Sequence, residues 1–134
     1  MAQTFELEIV TPEKLVVKDA VEEAQIPGKN GYLGVLPGHA PLITELAVGE
    51  ITYKSAGTTK HISVAWGFAE VLPDKVTILA ETAEKPEEID VNRAKAAKER
   101  CERDLASGKT DIDYDAVQAA LQRAEARLDV AKKD

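Results

Sequence analysis

The chain has little of what catalytic sites are most often built from: one cysteine, two histidines and one tryptophan in 134 residues. A lone Cys101 excludes an internal disulfide and a cysteine-based metal cage. It fits a reducing compartment, where the thiol packs rather than reacts. His39 and His61 share no H-x-x-x-H or His/Cys spacing, so no metal site is expected. No recognisable motif sets a nucleophile or an orienting carboxylate beside either, which argues against hydrolytic chemistry, and no pattern calls for a redox cofactor. Positive charge is scarce as well. Seventeen Lys and Arg face 24 Asp and Glu, net −7, and aromatics make up 4%; the basic footprint and stacking residues of nucleic-acid binding are missing. A bilayer span takes about 20 apolar residues, and the uncharged run ending at Thr44 is interrupted by Pro37 and Pro41, so direct membrane insertion is not expected. The start, "MAQTFELEIVTPEK", carries Glu6 and Glu8 in place of a basic segment, and the expected compartment is the cytoplasm.

What is present is a core-forming composition with two periods. Hydrophobic residues are 44%, enough for one ordinary domain or two small ones. From Thr4 to about Glu81, short β-branched and apolar runs such as "FELEIV", "EITYKSAGTTKHISV", "WGFAEVL" and "DKVTILAE" recur roughly every ten residues, the spacing of a sandwich or barrel. Pro12, Ser55 to Gly57 and Pro73-Asp74 stand where strands should reverse. After "AEKPEE" the apolar residues Val91, Ala94, Ala97, Cys101 and Leu105 recur every three or four positions, and Gly108 marks a stop. A second helix follows Asp113 as N-cap, with Val117, Ala120, Leu121, Ala124, Leu128 and Ala131 on one face and Lys132 and Lys133 at its end. The expected class is therefore α+β: an antiparallel β-sandwich of eight to about ten strands over 1–84, then an antiparallel two-helix hairpin over 85–134. The halves also differ in charge, with 6 Lys/Arg against 12 Asp/Glu before residue 85 and 11 against 12 from residue 85 on. The hairpin seam is mostly alanine, whose methyl buries little at about 25 cal/mol per Å², so the hairpin is expected to be weakly held and able to open.

"GKNGYLGVLPGHAPL", Gly28 to Leu42, has the glycines of a phosphate loop. It lacks the Lys-Ser or Lys-Thr pair and the following helix such a loop needs, and reads as sandwich turns. Trp66 reads as a core or interface aromatic. The arginines say more. Arg93 and Arg100 lie on nearly one face of the first helix, with Asp90 one turn before Arg93, and Arg123 and Arg127 are one turn apart on the second. An antiparallel hairpin brings the start of the first helix toward the end of the second, so Asp90, Arg93, Arg123 and Arg127 are expected to converge. Two readings stay open. Asp90 caps its helix and the arginines are solvated, or the guanidiniums await a polyanion such as a nucleotide phosphate, which would favour the closed hairpin.

Two stretches carry a family resemblance. "IPGKNGYLGVLPGHAPLITELAVGEI" and the short "IDVNRA" resemble the signatures of the epsilon subunit of the bacterial F-type ATP synthase, and the likeness runs the whole chain. It looks strongest to members from thermophilic bacilli, through "ETAEKPEEID" and "AKAAKER". The resemblance implies a non-catalytic rotor subunit on the cytoplasmic face of the bacterial cell membrane, peripheral, as part of F1. Its sandwich would dock on the gamma subunit and the c-ring, and its hairpin would extend toward the alpha/beta ring to inhibit ATP hydrolysis until ATP folds it back. It further implies ATP contacts at Glu84, Ile89, Asp90, Arg93, Ala94, Arg100, Arg123 and Arg127, with ATP as regulatory ligand, alone or with Mg2+. The loop facing the c-ring would be Lys29, Asn30, Gly31 and Tyr32, where Tyr32 stands in for the acidic residue common in the family. The alternative is a purely structural coupling subunit without nucleotide gating.

Overall fold

The computed structural model describes residues 3–133. Eight strands come first: β1 (Phe5–Val10), β2 (Leu15–Val21), β3 (Glu23–Gly28), β4 (Gly31–Val35), β5 (Leu42–Leu46), β6 (Gly49–Ser55), β7 (Thr58–Val71) and β8 (Lys75–Glu84). A single 3-10 turn at Pro86–Glu88 then leads into α1 (Val91–Ala106) and α2 (Tyr114–Ala131). The sandwich and the hairpin are as expected, with one refinement and one correction. The strands number eight, the low end of the eight to ten expected, because "HISV" and "WGFAEVL" belong to one 14-residue strand, β7. The sheet is also not wholly antiparallel: β1 and β8 run parallel, Leu7 beside Val76 and Ile9 beside Ile78.

β7 is the strand around which the sandwich folds. Its first half pairs with β6 and its second half with β5, while β8 runs along it from Ser63 to Val71. The bend falls at Trp66 and Gly67, both at positive φ, 50° and 127°. A Cβ on Gly67 would stand 1.9 Å from the Leu79 carbonyl oxygen, so only glycine lets β7 approach β8 so closely here. Inside lie Leu7, Ile9, Ile26, Ile51, Ile62, Ile78 and Val76, each 2% exposed or less, in the alternation that one buried face requires. The turns lie where the breakers are. Ala56 (φ 49°) and Gly57 (φ 80°) form the two-residue hairpin turn between β6 and β7, as a type I′ turn demands. Lys29 and Asn30 form the tip between β3 and β4, where Gly28 faces Gly31.

Both helices are capped by aspartates: Asp90 accepts from the Arg93 amide and Asp113 from the Ala116 amide, each at 3.1 Å, satisfying donors with no partner inside the helix. α2 lies against β6, β7 and the 3-10 turn, whereas α1 packs chiefly on α2. The seam buries Ala94, Cys101 and Ala124. Val130 is also fully buried, although it stands outside the seam face read from the sequence. α2 needs a second buried stripe because it is the middle layer.

Candidate functional site at the hairpin and sandwich boundary

Register places three residues in one row on the outer face of the sheet: Glu50 of β6 opposite Ser63 of β7, and Ser63 opposite Glu84 of β8. Two carboxylates thus flank a buried serine, and α2 brings a cation to each. The Arg127 Nε donates to Glu84 at 2.6 Å, with both side chains about one-third exposed. The Lys133 Nζ donates to Glu50 at 2.8 Å. Val130 lies between these two cations in the chain and is buried completely, so the docked face of α2 is an apolar contact between two ion pairs. A third contact lies one turn earlier, where the Arg123 guanidinium sits 5.0 Å from the centroid of the Trp66 ring, a cation–π arrangement. The bend in β7 presents that indole.

Glu50 is the most constrained of these groups, its side chain only 15% exposed. His61 Nδ1 donates to one of its oxygens and Lys133 to the other. Its backbone amide donates to the Tyr32 hydroxyl at 3.1 Å. Burial alone would raise its pKa, but the Lys133 and His61 hydrogen bonds outweigh this and hold the carboxyl below its ordinary value. Glu88 is likewise lowered, first by the Lys14 hydrogen bond at 2.7 Å and then by the Lys85 amide. The linker before α1 is therefore also tied to the sandwich.

The residues singled out from the sequence separate into two groups. Glu84, Arg123 and Arg127 meet at the boundary, but the arginines are engaged by Trp66 and Glu84 rather than gathered on one another. Ile89 and Ala94 are buried, while Asp90 is engaged in capping α1. Arg93 and Arg100 are exposed on α1 and form no ion pair among the described residues. A shallow groove between the helices is lined by Lys95, Lys98 and Glu102 of α1 and by Glu125, Asp129 and the capping Lys132 of α2. Beside Arg127, a cleft of about 350 Å³ is lined by Lys14, Glu81, Glu84 and Glu88. At the β3–β4 tip Lys29 pairs with Glu45 at 2.8 Å and Tyr32 is 62% exposed. Sequence reading missed Glu50, Ser63, Val130 and Lys133. Only the alternation of β6 and β7 about a common register could have marked the first two.

Comparison with known proteins agrees with this build. Residues 4–86 match the family model "ATP synthase, Delta/Epsilon chain, beta-sandwich domain" and residues 87–132 match "ATP synthase, Delta/Epsilon chain, long alpha-helix domain". An ATP synthase epsilon chain of Syntrophobacter fumaroxidans is 53% identical over 99% of both chains. One of Koribacter versatilis is 73% identical over 78% of this chain and 74% of its own. A chain in the Euglena gracilis mitochondrial ATP synthase, in a structure of OSCP, F1 and c-ring, shares the fold with TM-score 0.80 at 24% identity, covering 97% of this chain and 82% of that one. These matches correct the expected likeness to thermophilic bacilli: relatives of such similarity come from Koribacter and Syntrophobacter instead. "ETAEKPEEID" and "AKAAKER" are short charged stretches at a helix start, where similar composition recurs for reasons of capping and solvation alone. The chain belongs to the Delta/Epsilon-chain family of ATP synthase, and among its full-length relatives it is an epsilon chain.

Proposed function

We propose that this chain is a non-catalytic rotor subunit that couples gamma to the c-ring and restrains ATP hydrolysis through a hairpin whose docked state ATP favours. The observation that carries the reading is the polar character of the hairpin's attachment. Arg127 and Arg123 end on Glu84 and Trp66, groups that a bound phosphate would replace or reinforce with stronger charge-assisted bonds. Arg100, exposed on α1, would add a further cation to a phosphate chain along the boundary, while Ile89, Asp90, Arg93 and Ala94 at the start of α1 would hold the base end, with or without Mg2+.

The rotor part of the reading is supported by the opposite face of the sandwich. Leu15, Val10, Leu79 and Phe68 are successive partners across β2, β1, β8 and β7, and Leu15, Leu79 and Phe68 are each more than half exposed. Such an apolar row on an outer face marks an interaction surface, and gamma is its proposed occupant. The tip at Lys29, Asn30, Gly31 and Tyr32 is the proposed c-ring contact, which sets the chain on the cytoplasmic face of the membrane as a peripheral part of F1. Extension of the hairpin would bring it to the alpha and beta subunits.

Calorimetric titration of the full chain with ATP, with and without Mg2+, is the test. Binding that Arg123→Ala and Arg127→Ala each weaken is the expected result. Absence of binding at millimolar ATP would sink nucleotide gating and leave the purely structural coupling role.

A further inference from the structure

A cleft of about 650 Å³ lies between β2, the start of β7 and the 85–87 segment, and reaches Lys133 at the edge of the boundary site. Its volume is in the range of small-molecule sites, roughly 300 to 1,000 Å³. The floor is Val17, Tyr53 and Ile62, all buried. Tyr53 keeps only 4% of its surface exposed, and its hydroxyl bonds to no protein group among the described residues. It is not sealed in without a partner either, so the hydroxyl is satisfied only from the cleft. Burial, then Asp19 and Glu87, raise its pKa, so it stays a neutral donor. Four lysines, Lys18, Lys60, Lys85 and Lys133, stand around it against two carboxylates, in a chain whose net charge is −7. Lys133 is held by Glu50 at 2.8 Å, while the other three are weakly paired or free. Lys18 reaches Glu6 at 3.7 Å and Lys60 reaches Asp19 at 3.9 Å, both more than half exposed, and Lys85 has no ion pair among the described residues.

We propose that this cleft binds a small polyanion, an oligophosphate or a polycarboxylate, with the Tyr53 hydroxyl donating to one anionic oxygen and the lysines neutralising the rest. A hydroxyl that opens only to the cleft, with no protein partner, and a convergent set of ammonium groups together favour such a ligand over a neutral one. Lys18 and Lys60 belong to the sandwich, Lys85 to the linker and Lys133 to the end of α2. An anion held by Lys18, Lys60 and Lys85, with Lys133 shared with Glu50, ties the hairpin to the sandwich at its Lys133 end.

Amide chemical shifts of the full chain, followed by NMR while tripolyphosphate or citrate is added, test this. Saturable shifts are expected at Tyr53, Thr59 to Ile62 and Lys85. Tyr53→Phe should weaken binding about threefold, the scale of one lost hydrogen bond. Lys18→Glu with Lys60→Glu should weaken it tenfold or more by charge reversal, and these exposed positions leave the fold intact. Arg123→Ala with Arg127→Ala should change nothing at this cleft. Saturation by tripolyphosphate alone assigns the site to phosphates, by citrate alone to carboxylates. Shifts that never saturate with either, or that follow Arg123 and Arg127 instead, overturn the proposal.

Discussion

Val130→Ala isolates the attachment of α2 from the stability of the sandwich. The side chain is fully buried between the Arg127–Glu84 and Lys133–Glu50 ion pairs in the chain, and α2 depends on it for apolar contact outside the hairpin seam. Removing two methyl groups forfeits about 1.5 kcal/mol at roughly 0.8 kcal/mol each. The flanking ion pairs are partly exposed, and such pairs contribute about 0.2 to 1 kcal/mol apiece, so the valine outweighs either. A loss near 1.4 kcal/mol is tenfold in an equilibrium constant. Amide exchange in α2 should therefore accelerate about tenfold, while amides of Leu7, Ile9, Ile62 and Ile78 keep their rates, because the sandwich core is complete without the helix. Hydrogen exchange read by NMR resolves the two groups. Equal acceleration of strand and helix amides would show one cooperative unit and refute the separable attachment; unchanged α2 rates would show that the ion pairs dominate.

Three further outcomes follow from single positions. Gly67→Ala places a Cβ 1.9 Å from the Leu79 oxygen at φ 127°, and should cost 3 kcal/mol or more, about the top of the range for backbone strain with a clash added; urea denaturation measures it, and a loss under about 1 kcal/mol would mean that β7 can straighten. Ala56→Gly, at φ 49° beside Gly57, should stabilise the sandwich by about 0.5 to 1 kcal/mol by removing left-handed strain from a side-chain-bearing residue, visible as a higher midpoint in the same titration. Glu50 has its pKa lowered in the folded state, so its contribution is present above the ordinary carboxylate range and lost as pH falls through the lowered value. Glu50→Gln should make α2 exchange faster at neutral pH and remove the part of its acid sensitivity that Glu50 supplies; an unchanged pH profile would assign that sensitivity to Glu88 and the linker.

The fold was legible where a local signal sufficed. Alternation in "FELEIV", the Ala-Gly turn after Ser55, the aspartate caps and the change of period after Glu84 each act within a few residues, and each recurs in the structure. The continuity of β7 and the β1–β8 pairing were not legible, for a common reason. Trp66 and Gly67 look like the end of a strand because Gly at such a position usually breaks one. In the molecule the same dipeptide bends a strand that continues, so one long strand can serve both layers. Parallel pairing of the first and last strands is a closure of the whole sandwich, and no window of sequence contains both partners.

The boundary site was half legible for a different reason. Helix spacing put Arg123 and Arg127 one turn apart and pointed them at the same neighbour, but it could not say that the neighbour would be protein. Glu50, Ser63 and Glu84 become one row only through the registers of β6 with β7 and β7 with β8, and 34 residues of chain separate the two carboxylates. Their separation matters physically: Arg127 and Lys133, just past the end of α2, are six residues apart, a helical rise of about 9 Å at 1.5 Å per residue, and two neighbouring strand spacings of about 4.8 Å cover nearly the same distance. The match lets α2 lie across the strands with both ion pairs formed at once. Because the match is geometric, sliding or lifting the helix breaks both pairs together, along with the Val130 and Arg123–Trp66 contacts, so the docked hairpin is held in one register by paired charge.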